Sequence, residues 1–320
     1  MKYGIIAGNG RFPILALETA RQLGDEAIAI AIREEAAPEI EQLATRCHWV
    51  SLGELSKLIE ICHAEGITEI MMAGQVKHAK IFSNIKPDWR LFKVLAALPR
   101  KNTDGLIGAV AKVLEDEGIH LVDSTKLLKP LLAEEGVLTK RKPTHEEQQN
   151  MAYGRKIAEA LSSFDLGQSC AISDKACVAL EAMEGTDAML RRAAELTNGK
   201  PLTLVKSSQR RGHLLFDVPV IGLETIRVMQ QTNTTAATID AGRTLLLDKA
   251  ELLAEADKAG ITITATKPQN QHPAPPTTST QLAPPSTSTE LTKTVAPAHG
   301  RESKVLHPDE SAHPNSPKRP

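Results

Sequence analysis

The chain has 320 residues, of which 41% are hydrophobic and 24% charged, with a formal net charge of −1. That length and composition support about two globular domains, and the charge balance excludes a global basic field for nucleic acid. Aromatics at 3% leave too few stacking platforms for single-stranded DNA or RNA.

Met1-Lys2 passes straight into an apolar strand, with no signal-peptide h-region. No apolar run is long enough to span a bilayer, so a cytoplasmic location is expected. Residues 3–7 predict the first strand; Gly8-Asn9-Gly10 and a helix to Leu23 follow. Pro13 suits that helix's first turn, where its missing N–H costs nothing. Residues 27–32, AIAIAI, are too apolar for a half-exposed strand and fit a parallel sheet covered on both faces. Further strands are expected at 48–52, 69–73 and 120–123, with helices at 54–65 and 104–117. Strands alternating with helices indicate a doubly wound, Rossmann-like α/β domain, here placed at 1–138.

Ligands of such a sheet collect beyond the carboxyl ends of its strands. Two loops lie there: Gly8-Asn9-Gly10, able to offer N–H groups to a phosphate, and Gly74-Gln75. The GxG is not a full dinucleotide fingerprint, because Pro13 occupies the third glycine's position, and a simple tight turn explains it equally well. Arg33 follows the second strand, where a dinucleotide domain reads the ribose, which keeps an NAD(P)-dependent oxidoreductase as an alternative. The four cysteines (Cys47, Cys62, Cys170, Cys177) have neither CxxC nor zinc-ligand spacing. They read as small buried hydrophobes in a reducing compartment.

The polar segment 139–145 reads as a linker to a second α/β domain at 146–266. There a helix is expected at 146–162, strands at 169–172 and 177–180, and a helix at 188–196, capped by Thr186 or Asp187. A Gly185-Thr186-Asp187 turn holding an anion or metal is the functional alternative to that cap. Residues 202–205 are a buried strand ending in Lys206, followed by Gln209, Arg210 and Arg211 and then the lone carboxylate Asp217. Cations and then a carboxylate at strand ends are a way to hold a phosphorylated ligand with a divalent metal. A strand, a solvated basic loop and a turn-forming acid are the plainer explanation. A helix to Gln231, strands at 236–239, 244–247 and 261–264 and a helix at 249–259 complete the domain. From 267 to 320 the chain turns to Pro, Thr, Ser and Ala, and a disordered tail is expected, dispensable beyond about Ala265. Its histidines are too dispersed for metal ligands. GxSxG, HExxH and GxxxxGK[ST] are all absent from the sequence.

Five motifs together carry a family resemblance: IIAGNGRFP, AGQVKHAKIF and DGLIGAVAKVLEDEGI in the first domain, EGTDAMLRRAAEL and FDVPVIGLETI in the second. The chain resembles the two-domain UDP-2,3-diacylglucosamine pyrophosphatases of lipid A biosynthesis, the type without a metallophosphoesterase core. The resemblance covers about residues 1–266. It implies Mg²⁺-assisted hydrolysis to UMP and 2,3-diacylglucosamine 1-phosphate, with Mn²⁺ an alternative ion, on a lipid-linked sugar nucleotide near the inner membrane. Peripheral membrane contact and a homodimer are compatible with it. The family's key acid falls on Asp217, its Gly-Thr-Asp turn on Gly185, Thr186 and Asp187, and its nucleotide-side loop on Gly8, Asn9 and Gly10. Members carry a Lys-Pro pair and a Gln-Asp/Glu-x-Arg run before the acid. Here those positions read Gln209-Arg210 and Gly212-His213-Leu214-Leu215. The expected site is Asp217 and Asp187 as metal ligands and Lys206 neutralising phosphate charge. Gly8, Asn9, Gly10, Gly74, Gln75, Thr186, Gln209 and Arg210 would touch substrate. A non-catalytic sugar-nucleotide or lipid-binding protein is the third reading.

Overall fold

Five parallel strands build the first sheet: β1 (Lys2–Ala7), β2 (Glu26–Ile32), β3 (Arg46–Val50), β4 (Glu69–Ala73) and β5 (His120–Leu121), in the order β3-β2-β1-β4-β5. The computed structural model describes residues 1–74, 86–98, 103–164, 166–208 and 218–268, with the side chains of 103 and 104 excepted. Helices α1 (Arg11–Gln22), α2 (Ile40–Leu43), α3 (Leu55–Glu65), α4 (Trp89–Ala97) and α5 (Thr103–Asp116) accompany the sheet. The β2 sequence shows why both faces are covered. Its alanines, Ala27, Ala29 and Ala31, join the apolar cluster of α1, whereas Ile28, Ile30 and Ile32 join that of Leu58, Leu91 and Leu114. Small residues admit a close approach on one face and large ones fill the other.

A short 3₁₀ turn (Lys129–Leu131) leads to the second half. Its sheet comprises β6 (Gly136–Val137), β7 (Ser169–Ser173), β8 (Ala176–Leu180), β9 (Leu202–Lys206), β11 (Thr234–Asp240) and β13 (Thr262–Thr266), in the order β6-β13-β11-β9-β7-β8. The β13–β11–β9 core is parallel, while β6, β7 and β8 run antiparallel to their neighbours. Helices α6 (His145–Ser163), α7 (Thr186–Leu196), α8 (Leu223–Gln231) and α9 (Lys249–Lys258) pack around it. Thr144 and Glu147 form a capping box at the start of α6.

Residues Met1–Pro273 form one compact unit. A small parallel pair, β10 (Val220–Ile221) with β12 (Leu245–Leu246), helps join the halves. Val218, Leu245 and Leu247 are buried in the same cluster as Tyr3, Ile5 and Phe12 of the first sheet. Arg11 on α1 also pairs with Asp248 at the start of α9, at 3.1 Å.

The segment expected as a linker, 139–145, is held to the second sheet. Thr139 Oγ1 accepts from Ile263 N at 3.0 Å, and Arg141 donates to Glu147 (2.8 and 2.9 Å), Thr235 O and Gly260 O (both 2.6 Å). Two strands run longer than expected: β11 to Asp240, and β13 to Thr266 rather than 264. Thr266 O accepts from Ala241 N at 2.9 Å, its hydroxyl accepts from Arg155, and Lys267 pairs with Glu135 at 2.8 Å. The dispensable part must therefore begin after these contacts, not at Ala265. A chain ending at Pro268 is expected to keep the full melting temperature, and one ending at Ala265 to lose several degrees in the same thermal scan. The tail expected at 267–320 lies, from residue 269 on, outside the described residues.

Candidate active site

The strand order reverses between β1 and β4, which is the switch point where an open parallel sheet forms its crevice. Both expected loops meet there. Gly8 N donates to Ala73 O at 2.8 Å, and Gly74 follows at φ +88°. A Cβ on Gly74 would lie 2.5 Å from Asn9 O and 3.0 Å from Gly8 C, so only glycine lets the two backbones approach this closely. Gly10, at φ +97°, starts α1 without a side-chain cap. The Asn9 amide donates to the buried Glu35, at 3.4 Å. Arg33, the ribose-reading candidate of the oxidoreductase alternative, donates to Trp49 O at 3.3 Å.

This contact gives a direct test. Gly74→Ala should destabilise the protein by about 1–3 kcal/mol through overpacking against backbone atoms. Gly10→Ala should cost less, because its Cβ would meet nothing within 4 Å and only the backbone conformation is strained. Equal urea midpoints for the two variants would contradict the packing of these loops.

The second cluster forms where β7, β8 and β9 meet the start of α7. Lys206, only 6% exposed, donates from Nζ to Thr186 Oγ1 at 2.9 Å and to Ser169 Oγ at 3.5 Å. Thr186 in turn donates to Glu181 Oε1 at 3.0 Å, and Ser169 lies 3.2 Å from Thr186. Gly185, at φ +84°, turns the chain into α7 and is itself the cap residue, with no side-chain cap bond. Thr186 and Asp187 therefore do not cap the helix. Each already sits in its first turn, with its side chain bonded to another element. Asp187 Oδ1 accepts from Thr225 Oγ1 on α8 at 3.1 Å.

Among the described residues Lys206 has no direct ion-pair partner, and Glu181 reaches it only through Thr186. The two hydrogen bonds of Lys206 among the described residues go to neutral hydroxyls, and a buried ammonium so placed suits an anion.

Behind the lysine lies a network the sequence did not reveal. Asp240, fully buried at the end of β11, pairs with Arg155 of α6. Its other oxygen accepts from Ser208 N and Ser208 Oγ, both at 2.6 Å. Arg155 also donates to Ile239 O at 3.1 Å and to Thr238 Oγ1 at 3.3 Å. Ser207 Oγ donates to the same Asp240 oxygen as Ser208, at 3.4 Å, so the pair fixes the two residues that follow Lys206. An acid at the end of a buried strand was the available signal, as it was for Glu181 after β8, but it identifies no partner.

Of the expected site, the structure joins Lys206 to Thr186, and Gly8 and Asn9 to Gly74, with Gly10 next in the same turn. Asp187 is one residue from Thr186 but is bonded to α8. Gln75, Gln209, Arg210, Arg211 and Asp217 lie outside the described residues. Val218, which follows Asp217 in sequence, is 9% exposed and part of the cluster joining the halves. Among the described residues, three or more His, Cys, Asp or Glu side chains nowhere converge as a metal cage.

Residues 2–131 match the LpxI N-terminal domain family, and residues 134–264 match the LpxI C-terminal domain family. The UDP-2,3-diacylglucosamine pyrophosphatase LpxI of Caulobacter vibrioides is 29% identical over 280 residues, covering 84% of this chain and 99% of that protein. Among solved structures, the biotin carboxylase domain of a thermophilic 2-oxoglutarate carboxylase aligns with 54% of this chain and 35% of its own, at 10% identity and a TM-score of 0.24. Phosphoribosylglycinamide synthetase from Anaerococcus prevotii aligns with 61% and 34%, at 13% identity and the same TM-score of 0.24. Scores this low carry no argument about either fold or function.

Proposed function

Because the chain belongs to the LpxI family, we propose that it hydrolyses the pyrophosphate bond of UDP-2,3-diacylglucosamine, giving UMP and 2,3-diacylglucosamine 1-phosphate. The observation that carries this reading is the match of both family domains, in order, along nearly the whole described chain. The buried Lys206 ammonium supports it, as a group suited to the negative charge of a pyrophosphate.

In this reading Asp217 and Asp187 hold a divalent ion. Two carboxylates suit Mg²⁺, or Mn²⁺ as an alternative, since such ions keep several waters and take few protein ligands. Asp187 fits the role, because its bond from Thr225 occupies one oxygen and orients the other. The bound ion would supply Lewis-acid polarisation of a phosphoryl oxygen and a lower pKa for water.

The protein's own groups supply the rest. Lys206, steadied by Thr186 and Ser169, neutralises charge that develops on the phosphate, with Arg210 or Arg211 adding a second cation. Thr186 Oγ1 is held between Lys206 and Glu181, so the ammonium keeps a fixed position as charge builds. The Gly8-Asn9-Gly10 and Gly74-Gln75 loops hold the nucleotide side.

Metal dependence is the expected consequence. Turnover should fall to background in excess chelator and return on adding Mg²⁺. Full activity after bound metal has been shown to be absent would remove the two aspartates from this role.

A further inference from the structure

Helix α4 is apolar on the face that packs and apolar again on the face that does not. Leu91 is buried in the cluster of Ile28 and Leu58, and Val94 and Leu95 pack against it. On the outer face Trp89 is 67% and Phe92 51% exposed, large values in a chain with only two tryptophans and five phenylalanines. Their rings stack, with centroids 5.7 Å apart and planes 13° apart, and Lys93 Nζ lies 5.2 Å from the Trp89 ring centre. The exposed pair is thus an ordered platform with a cation at its edge.

The described stretch that carries this helix is basic on balance: residues 86–98 contain Lys86, Arg90 and Lys93 against a single acid, Asp88, although the whole chain is near neutral. Asp88 is engaged in capping α4, accepting from Leu91 N at 2.9 Å and also from Ser56 N at 2.6 Å. Arg90 is paired with Glu117, which leaves Lys93 as the cation associated with the rings.

We propose that Trp89, Phe92 and Lys93 form a docking face for an anionic lipid surface. Tryptophan is enriched at the interfacial level of a bilayer, and a basic residue beside aromatic rings is the pattern of helices that lie in that plane. A nine-residue helix is about 14 Å long, far too short to cross, so the rings enter only the headgroup boundary. A second copy of the chain fits less well. Two aromatic side chains bury about 150–250 Å² each, against the roughly 800 Å² per partner of a stable interface. The lipid-borne substrate of the preceding section makes such contact useful, and the inference rests on that reading for its purpose.

The test uses the full chain and vesicles of phosphatidylcholine, with and without phosphatidylglycerol. The native protein should sediment with the anionic vesicles. Trp89→Ala/Phe92→Ala should weaken this at least tenfold, and Lys93→Glu should reduce the preference for anionic lipid. In Trp49→Phe, where Trp89 is the sole tryptophan, emission should shift to the blue on adding anionic vesicles. Melting temperature and hydrolysis of detergent-dispersed substrate should match the native protein in the double variant. Equal vesicle binding by native and double variant, or none by the native protein, would overturn the proposal. So would a native dimer that becomes monomeric in the double variant without any vesicle dependence, since the face would then belong to a second copy. Absence of hydrolysis in detergent for every form would instead strike the enzymatic reading, while the vesicle comparison would still decide this face.

Discussion

Asp217→Ala is expected to lower turnover by about a hundredfold or more, the scale of losing one key electrostatic group in a catalytic site. Asp217 is a single carboxylate set between the apolar run Leu214-Leu215-Phe216 and Val218, and Val218 is buried where the two halves join. An acid at such an edge is costly unless a metal or cation offsets it. Asp217→Asn should lose nearly as much while keeping the side chain's shape, because an amide is a far weaker ligand for a hard cation. Turnover per folded molecule decides the matter. If both variants lose stability but the folded fraction turns over normally, the residue is a turn former and not a metal ligand.

Asp240→Ala should produce the largest loss of stability. Its carboxylate is fully buried, pairs with Arg155 and accepts two bonds from Ser208. Removing it leaves the Arg155 guanidinium uncompensated in the interior, which costs roughly 3–5 kcal/mol, or on the order of 10 °C for a chain of this size. Arg155→Met/Asp240→Leu should recover much of that loss, since no unpaired charge remains, but not the part due to Ser208 N. An unfolding free energy from urea denaturation within about 1 kcal/mol of native for the single variant would mean that the network is not a buried ion pair in solution.

The elements were legible where their pattern is local. The AIAIAI run reads as a doubly covered strand because every residue in it is apolar, and the observed β2 divides its side chains between two clusters as that pattern implies. The third strand, expected at 48–52, spans Arg46–Val50: its start carries the charged Arg46, which pairs with Glu65 and does not read as part of an apolar run. Strand β6 could not be read from Gly136-Val137, both exposed, since only pairing with β13 makes them a strand.

The same division holds for the site. The Gly8–Gly10 and Gly74 loops were identifiable from glycines at strand ends, and Lys206 from its place at the end of a buried run. The Arg155–Asp240 pair was not, because its members lie 85 residues apart and Arg155 reads as the polar side of a helix. Glu181 was missed for a related reason: its bond to Thr186 follows from the α7 approach to β8, which no local pattern encodes.

The most direct measurement is product identification by mass after incubating the full chain with UDP-2,3-diacylglucosamine and Mg²⁺. The account predicts UMP and 2,3-diacylglucosamine 1-phosphate in equal amounts, with formation abolished in excess chelator. Release of UDP, or unaltered substrate at every metal concentration, would contradict it.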